Sequence, residues 1–203
     1  MTSISTAMLD CWKGNPVIAA IKDYDGACAA ADAPPGVVFV LGGTLQEVPV
    51  LIGVLREAGK RVLLHADLID GLGRSDAAVE FIARTLRPDG LLSTHRPVLR
   101  AAKREGLVTV QRLFMLDSAS MATGVRAIAH DAPDFIELMP GVIPKAIAYF
   151  RTQTGVPVIA GGMITTREEA RLALEAGAAA VSTSERALWT PVRAAPALNS
   201  THK

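Results

Sequence analysis

Pro157-Val-Ile-Ala-Gly-Gly162, a helical run from Thr166 to Ala176, and Gly177-Ala-Ala-Ala-Val-Ser-Thr-Ser184 together decide the fold. A short apolar strand ends in a glycine pair, a helix returns, and a second apolar strand ends in hydroxyls that run into Glu185-Arg186. Bare glycine backbone lets an anion approach amide N–H groups, and hydroxyls add donors near a helix N-terminus, where the dipole favours negative charge. Closed (β/α)8 barrels commonly hold phosphate in the loops after their seventh and eighth strands. The stretch therefore predicts a barrel and, at its mouth, a small phosphorylated ligand.

The same cadence extends toward the N-terminus. Strand-length apolar runs lie at 16–21, 36–41, 61–67, 90–95, 108–114, 135–140, 157–161 and 179–184. Helical patterns fit between them at 24–31, 45–58, 76–86, 97–105, 118–130, 143–154 and 167–176, and a last short helix starts near Glu185. Gly59, Gly106, Gly155 and Gly177 stand just past helical runs, where a left-handed residue ends a helix well. Repetition of helix, glycine and apolar strand predicts parallel βα units closing into a single-domain (β/α)8 TIM-type barrel over 16–190. A doubly wound open sheet would carry its glycine-rich turn after the first strand, whereas here it follows the seventh. Residues 1–15 read as a weakly structured leader and 191–203 as a flexible tail.

Composition narrows the function classes. In 203 residues, 50% are hydrophobic and only 4% aromatic, so Ala, Val, Leu and Ile must fill a buried parallel sheet. The net charge of +1 predicts no bulk attraction to nucleic acid or to a membrane surface. Cys11 and Cys28 lack metal-motif spacing and read as unpaired thiols of a reducing compartment. With no basic-then-apolar leader and no membrane-length apolar run, a cytoplasmic location is expected. Nothing in the pattern calls for a cofactor, and assembly into a homo-oligomer is left open.

The polar residues at the strand ends carry the chemistry. Leu63, His65 and Asp67 share one face, Arg112 ends a strand, and Glu137 interrupts Phe135-Ile-Glu-Leu-Met139. Ionised groups among such strands are costly unless paired or ligand-bound, and Asp67 and Glu137 opposite Arg112 suit the hydroxyls of a small polyol. The competing reading is a salt-bridged plug without a ligand. A mixed metal site at His65, Asp67, His95 and Glu137 is the weaker alternative, because no high-specificity ligand spacing occurs. Lys13, Lys22, Lys60, Lys103, Lys145 and Lys203 are all set aside as Schiff-base candidates, none being read as within a strand or at its C-terminal end. Glu137 or Asp67 as a proton-transfer base keeps a phosphosugar isomerase or epimerase as the rival function. Arg96, Arg100, Lys103 and Arg104 fall on one helical face, a basic ridge to which RNA could bind; stabilisation of helix C-termini is the plainer account.

Several long motifs, in this order, resemble the glycerol-3-phosphate-responsive antiterminator family: His65-Ala-Asp-Leu-Ile-Asp-Gly-Leu72, Arg87-Pro-Asp-Gly-Leu-Leu-Ser-Thr94, Gln111-Arg-Leu-Phe-Met-Leu-Asp-Ser118, Asp134-Phe-Ile-Glu-Leu-Met-Pro-Gly-Val-Ile-Pro144, Ala160-Gly-Gly162 and Val181-Ser-Thr-Ser184. The resemblance covers roughly Pro16 to Trp189. It implies a non-catalytic TIM-barrel sensor of sn-glycerol 3-phosphate that, when ligand-bound, acts on the mRNA leader of glycerol-metabolism genes. Carried over by position, Gly161, Gly162, Ser182 and Ser184 would hold the phosphate, and Asp67, Arg112 and Glu137 would face the glycerol end or order the site. His95 stands where the resemblance leads one to expect an arginine.

Overall fold

The computed structural model describes residues 3–191; of the tail read over 191–203, everything from 192 onward lies outside the described residues. Eight parallel strands close in sequence order: β1 (Val17–Ile21), β2 (Val37–Val40), β3 (Arg61–His65), β4 (Gly90–Ser93), β5 (Val108–Phe114), β6 (Phe135–Met139), β7 (Val158–Gly161) and β8 (Ala180–Thr183). The last strand pairs with the first through Ile18 and Ser182, so no edge is left open. The TIM-type barrel expected from the sequence is the fold observed.

Side-chain alternation sorts the apolar residues into two bodies. Val62 and Leu64 pack outward against the helices, while Ile18, Phe39, Leu63, Val110, Phe135 and Ile159 fill the barrel interior. The covering helices are α2 (Tyr24–Asp32), α3 (Val48–Glu57), α4 (Asp76–Phe81, continued by a π-helical turn Ile82–Leu86), α5 (Arg96–Arg104), α6 (Ser118–Asp131), α7 (Pro144–Thr154) and α8 (Arg167–Glu175). A short 3-10 turn, Arg186–Leu188, follows β8. The loop at Leu41-Gly-Gly-Thr44 is a capped turn, in which Thr44 N donates to Glu47 Oε2 at 2.9 Å and Glu47 N to Thr44 Oγ1 at 3.3 Å.

The leader departs from its reading. Ser3–Gly14 form helix α1, which closes the N-terminal end of the barrel. Met8 and Trp12 join the interior cluster, and the Trp12 ring meets Phe135 edge-on at 4.9 Å between centroids. Ser5 Oγ donates at 3.0 Å to Asp134 Oδ1, while Asp134 Oδ2 accepts from Thr109 N and Oγ1. A barrel this short in residues needs a stopper under Phe135 and Val108, and only apolar side chains on a separate helix can supply it. Among the described residues of α1 only Ser5, Met8 and Trp12 are buried, a narrow face that gives a sequence reading no partner for the segment.

Among the described residues no helix is long and apolar enough to cross a membrane. Trp12→Ala is expected to lower unfolding stability by about 3–5 kcal/mol in urea titrations, the usual range for truncating a buried tryptophan. Trp12→Phe, which keeps an aromatic ring against Phe135 and gives up an indole N–H that has no hydrogen-bond partner among the described residues, should lose less. A Trp12→Ala protein as stable as the wild type would show that α1 is not part of the core.

Candidate functional site at the barrel mouth

The centre of the site is an ion pair inside the barrel. Arg112 on β5 and Glu137 on β6 are register partners, and both point inward from just above the apolar layers. Arg112 Nε donates to Glu137 Oε2 at 2.7 Å, and Ser182 Oγ on β8 donates to Glu137 Oε1 at 2.6 Å. The side chains are only 7% and 1% exposed. Removing one partner of such a pair leaves an uncompensated buried charge, commonly about 3–5 kcal/mol. Gly161 is part of the same construction: a Cβ there would lie 2.6 Å from Ser182 Oγ and would collide with the Glu137 carboxylate as well. Its missing side chain makes room for the Glu137–Ser182 bond, a different use from the open anion approach expected from the sequence.

Around this pair lies a cavity of ≈ 290 Å³ lined by Lys22, Leu41, Arg112, Glu137, Met139, Gly162, Met163, Ser182, Ser184 and Glu185, among others. Gly162 (φ 73) and Met163 (φ 62) are both left-handed and fold the β7–α8 loop at its edge; for Met163, 70% exposed, that conformation is uncommon and is the kind of local strain found at ligand sites. Gly141 N donates to Gly161 O at 2.6 Å, tying the loop after β6 to the end of β7. Thr183 Oγ1 donates to Ile164 O at 2.8 Å and fixes that loop to β8. The N-terminus of α8 carries a capping box: Thr166 caps Glu169 N, and Glu169 Oε2 accepts from Thr165 N and Thr166 N. At this wall the Gly162 turn and Ser184 offer further donors.

Lys22 is the residue that the sequence reading missed. It directly follows β1 and continues the inward alternation Ile18, Ala20, Lys22, so it stands at the mouth after all. The period-2 rule applied one residue past Ile21 would have found it.

Asp67 does not line this cavity. The strand expected over 61–67 ends at His65, and Asp67 sits in a 3-10 turn, Ala66–Leu68. Its carboxylate accepts from Ser93 Oγ (2.6 Å), Thr94 N (2.7 Å) and Thr94 Oγ1 (2.8 Å), with His95 Nδ1 3.2 Å away. Burial works to raise its pKa, but the hydrogen bonds from Ser93 and Thr94 prevail and hold it at about 2. His65 lies between this cluster and Arg112. Its Nδ1 has no hydrogen-bond partner among the described residues, and burial, followed by the Arg112 charge, pushes its pKa down to about 4. Among the described residues no three His, Cys, Asp or Glu side chains converge as a metal site.

With this geometry in place, comparison with known proteins is decisive. The family model described as glycerol-3-phosphate responsive antiterminator matches residues 17–189. The chain belongs to the glycerol-3-phosphate responsive antiterminator family. Among solved structures, the glycerol uptake operon antiterminator regulatory protein of Listeria monocytogenes str. 4b F2365 superposes with a TM-score of 0.82 at 35% identity, over 85% of this chain and 94% of that one. A glycerol uptake operon antiterminator-related protein from Thermotoga maritima MSB8 gives 0.77 at 33% identity, over 86% and 98%. An uncharacterized protein of Escherichia coli K12, YgcP, is 34% identical over 183 residues, 90% of this chain and 96% of the relative.

In this antiterminator-family chain the basic ridge on α5 is engaged with its neighbours. Arg96 Nε bonds Asp131 Oδ2, Arg100 Nη1 lies 3.2 Å from Asp131 Oδ1, Lys103 Nζ donates to Ala132 O at 2.6 Å, and Arg104 Nη2 donates to Asp76 Oδ2 at 2.6 Å. These contacts tie α5 to the end of α6 and the start of α4. The arginines are nonetheless 40–59% exposed.

His65 sets a pH dependence of stability. Its folded pKa of about 4 lies below the unfolded value of about 6.5, so the unfolded chain binds the extra proton first and stability falls as pH drops from 6.5 toward 4. Denaturation midpoints across this window should fall more steeply for the wild type than for His65→Gln. Equal slopes would show that His65 is not held neutral inside the barrel.

Proposed function

We propose that this chain is a non-catalytic cytoplasmic sensor: it binds sn-glycerol 3-phosphate in the barrel mouth and, so loaded, acts on the mRNA leader of glycerol-metabolism genes. Family membership over 17–189 and the descriptions of the Listeria and Thermotoga structures support this reading. In it, the Arg112–Glu137 pair meets the hydroxyl end of the ligand, with Arg112 offering the terminal guanidinium nitrogens that Glu137 does not use. Gly161, Gly162, Ser182 and Ser184 form the phosphoryl side, Gly161 by leaving space and Ser182 by holding Glu137. Asp67 orders the β3–β4 side without touching the ligand.

The observation that carries the choice of sensor over isomerase is the state of the carboxylates. Glu137 has one oxygen on Arg112 and the other on Ser182, and Asp67 is held at about 2 by three hydrogen bonds. A general base works best with a pKa near the operating pH and a free lone pair within reach of the substrate proton. Asp67 is held far below that range, and Glu137 is fixed on both oxygens by Arg112 and Ser182, an arrangement that suits the recognition of hydroxyls. Ligand then shifts the RNA-competent population only by binding it more tightly than the other state. RNA contact is assigned to the half-exposed ridge at Arg96, Arg100, Lys103 and Arg104, whose present partners phosphates would have to replace.

Calorimetry should show wild-type binding of sn-glycerol 3-phosphate and not of glycerol, with Ser182→Ala/Ser184→Ala at least roughly tenfold weaker, the scale of a lost hydrogen bond to a charged group. Wild-type protein that ignores the phosphate ester would contradict the sensor, and triose-phosphate turnover abolished by Glu137→Gln would establish the enzyme instead. Arg100→Glu/Lys103→Glu should weaken binding of the leader RNA and spare the small ligand; unchanged RNA affinity would reject the ridge.

A further inference from the structure

Lys22 and Ser184 belong to two openings at once. Besides the mouth cavity, they line a neighbouring cleft of ≈ 260 Å³ between the ends of β8 and β1, together with Asp23, Arg186 and Trp189. The mouth alone is electrostatically balanced, since Glu137 matches Arg112 and Glu185 adds a negative charge opposite Lys22. A phosphate dianion needs cations that no carboxylate holds closely, and the cleft offers two. Lys22 is exposed and has no ion pair among the described residues; Arg186 reaches only Asp25, at 3.7 Å, and Asp25 is itself 93% exposed. Asp23, the one carboxylate among these lining residues, is turned to the start of α2, where it accepts from Gly26 N at 2.8 Å. Ser184, exposed at the shared wall, gives a neutral donor between the two spaces.

We propose that the phosphoryl group extends past Ser184 into the β8–β1 cleft, where Lys22 and Arg186 supply the charge that the β7–β8 turn lacks. The assignment rests on the sensor reading above and moves the centre of anion recognition from the Gly161-Gly162 turn to the first and last strands of the barrel. The two cations reach the same space from different strand ends, so each contributes a charge-assisted bond. As the cleft opens beside the mouth, hydroxyl recognition at Glu137 and anion recognition at Lys22 are separable.

The test is calorimetry with sn-glycerol 3-phosphate and with inorganic phosphate on wild type, Lys22→Met, Lys22→Arg and Arg186→Met, at two ionic strengths, after thermal melts confirm that all four are folded. Lys22→Met should bind the ester roughly tenfold to a hundredfold more weakly and lose part of the salt dependence. Lys22→Arg should recover most of the affinity, and Arg186→Met should lose roughly tenfold. Wild-type affinity in Lys22→Met and Arg186→Met would overturn this inference while leaving the sensor intact. Binding of inorganic phosphate that depends on Lys22, with no response to the ester, would uphold the anion cleft and defeat the sensor. No binding of either compound by the wild type would overturn both.

Discussion

A buried guanidinium bonded to a buried carboxylate is the constraint around which this barrel's mouth is built. Arg112 and Glu137 stand on adjacent strands, above an interior otherwise filled by residues such as Phe39, Leu63 and Ile159. Charges in that position survive only if their lone pairs and protons are used, and the rest of the mouth is arranged to use them. Ser182 must be short and hydroxylated to reach Glu137 Oε1, and Gly161 must lack a side chain to let it. His65 must stay neutral, because it lies next to Arg112 and away from water.

The two ends of the barrel are consequently different in kind. At the N-terminal end α1 presses Met8 and Trp12 against the interior, and the Ser5–Asp134–Thr109 bonds hold that stopper in register. At the C-terminal end Asp67 and its donors occupy the β3–β4 sector, and the mouth cavity lies in the sector formed by β5 to β8, β1 and β2. A small polyol entering there meets an ion pair whose orientation is already fixed, which lowers the cost of ordering it on binding.

The fold was legible because the signals that specify it are local. Glycines after helical runs and eight strand-length apolar segments in sequence predict closure without any knowledge of contacts. Of the site, Arg112, Glu137, Gly162, Ser182 and Ser184 were visible as polar or small residues at strand ends, and they do line one cavity. Asp67 shows the limit of that reasoning. Alternation carries the strand through to Asp67, but the strand stops at His65, and the hydrogen bonds of Asp67 to Ser93 and Thr94 depend on where β4 ends, a tertiary fact. Lys22 was hidden by drawing the strand to end at Ile21, and α1 because a helix whose only partner is the barrel's underside carries no partner signal of its own. The carboxylate partners of the ridge on α5 were hidden for a similar reason: Asp131 and Asp76 come from other helices.

The central claim is that a preformed Arg112–Glu137 pair receives the hydroxyls of a small phosphate ester. A crystal structure grown with sn-glycerol 3-phosphate tests it most directly. The account predicts density in the mouth cavity with a ligand hydroxyl on the pair, Ser182 still on Glu137, and the phosphoryl group toward Ser184. Ligand density seated elsewhere, or Glu137 swung off Arg112 to make way for a side chain, would contradict it.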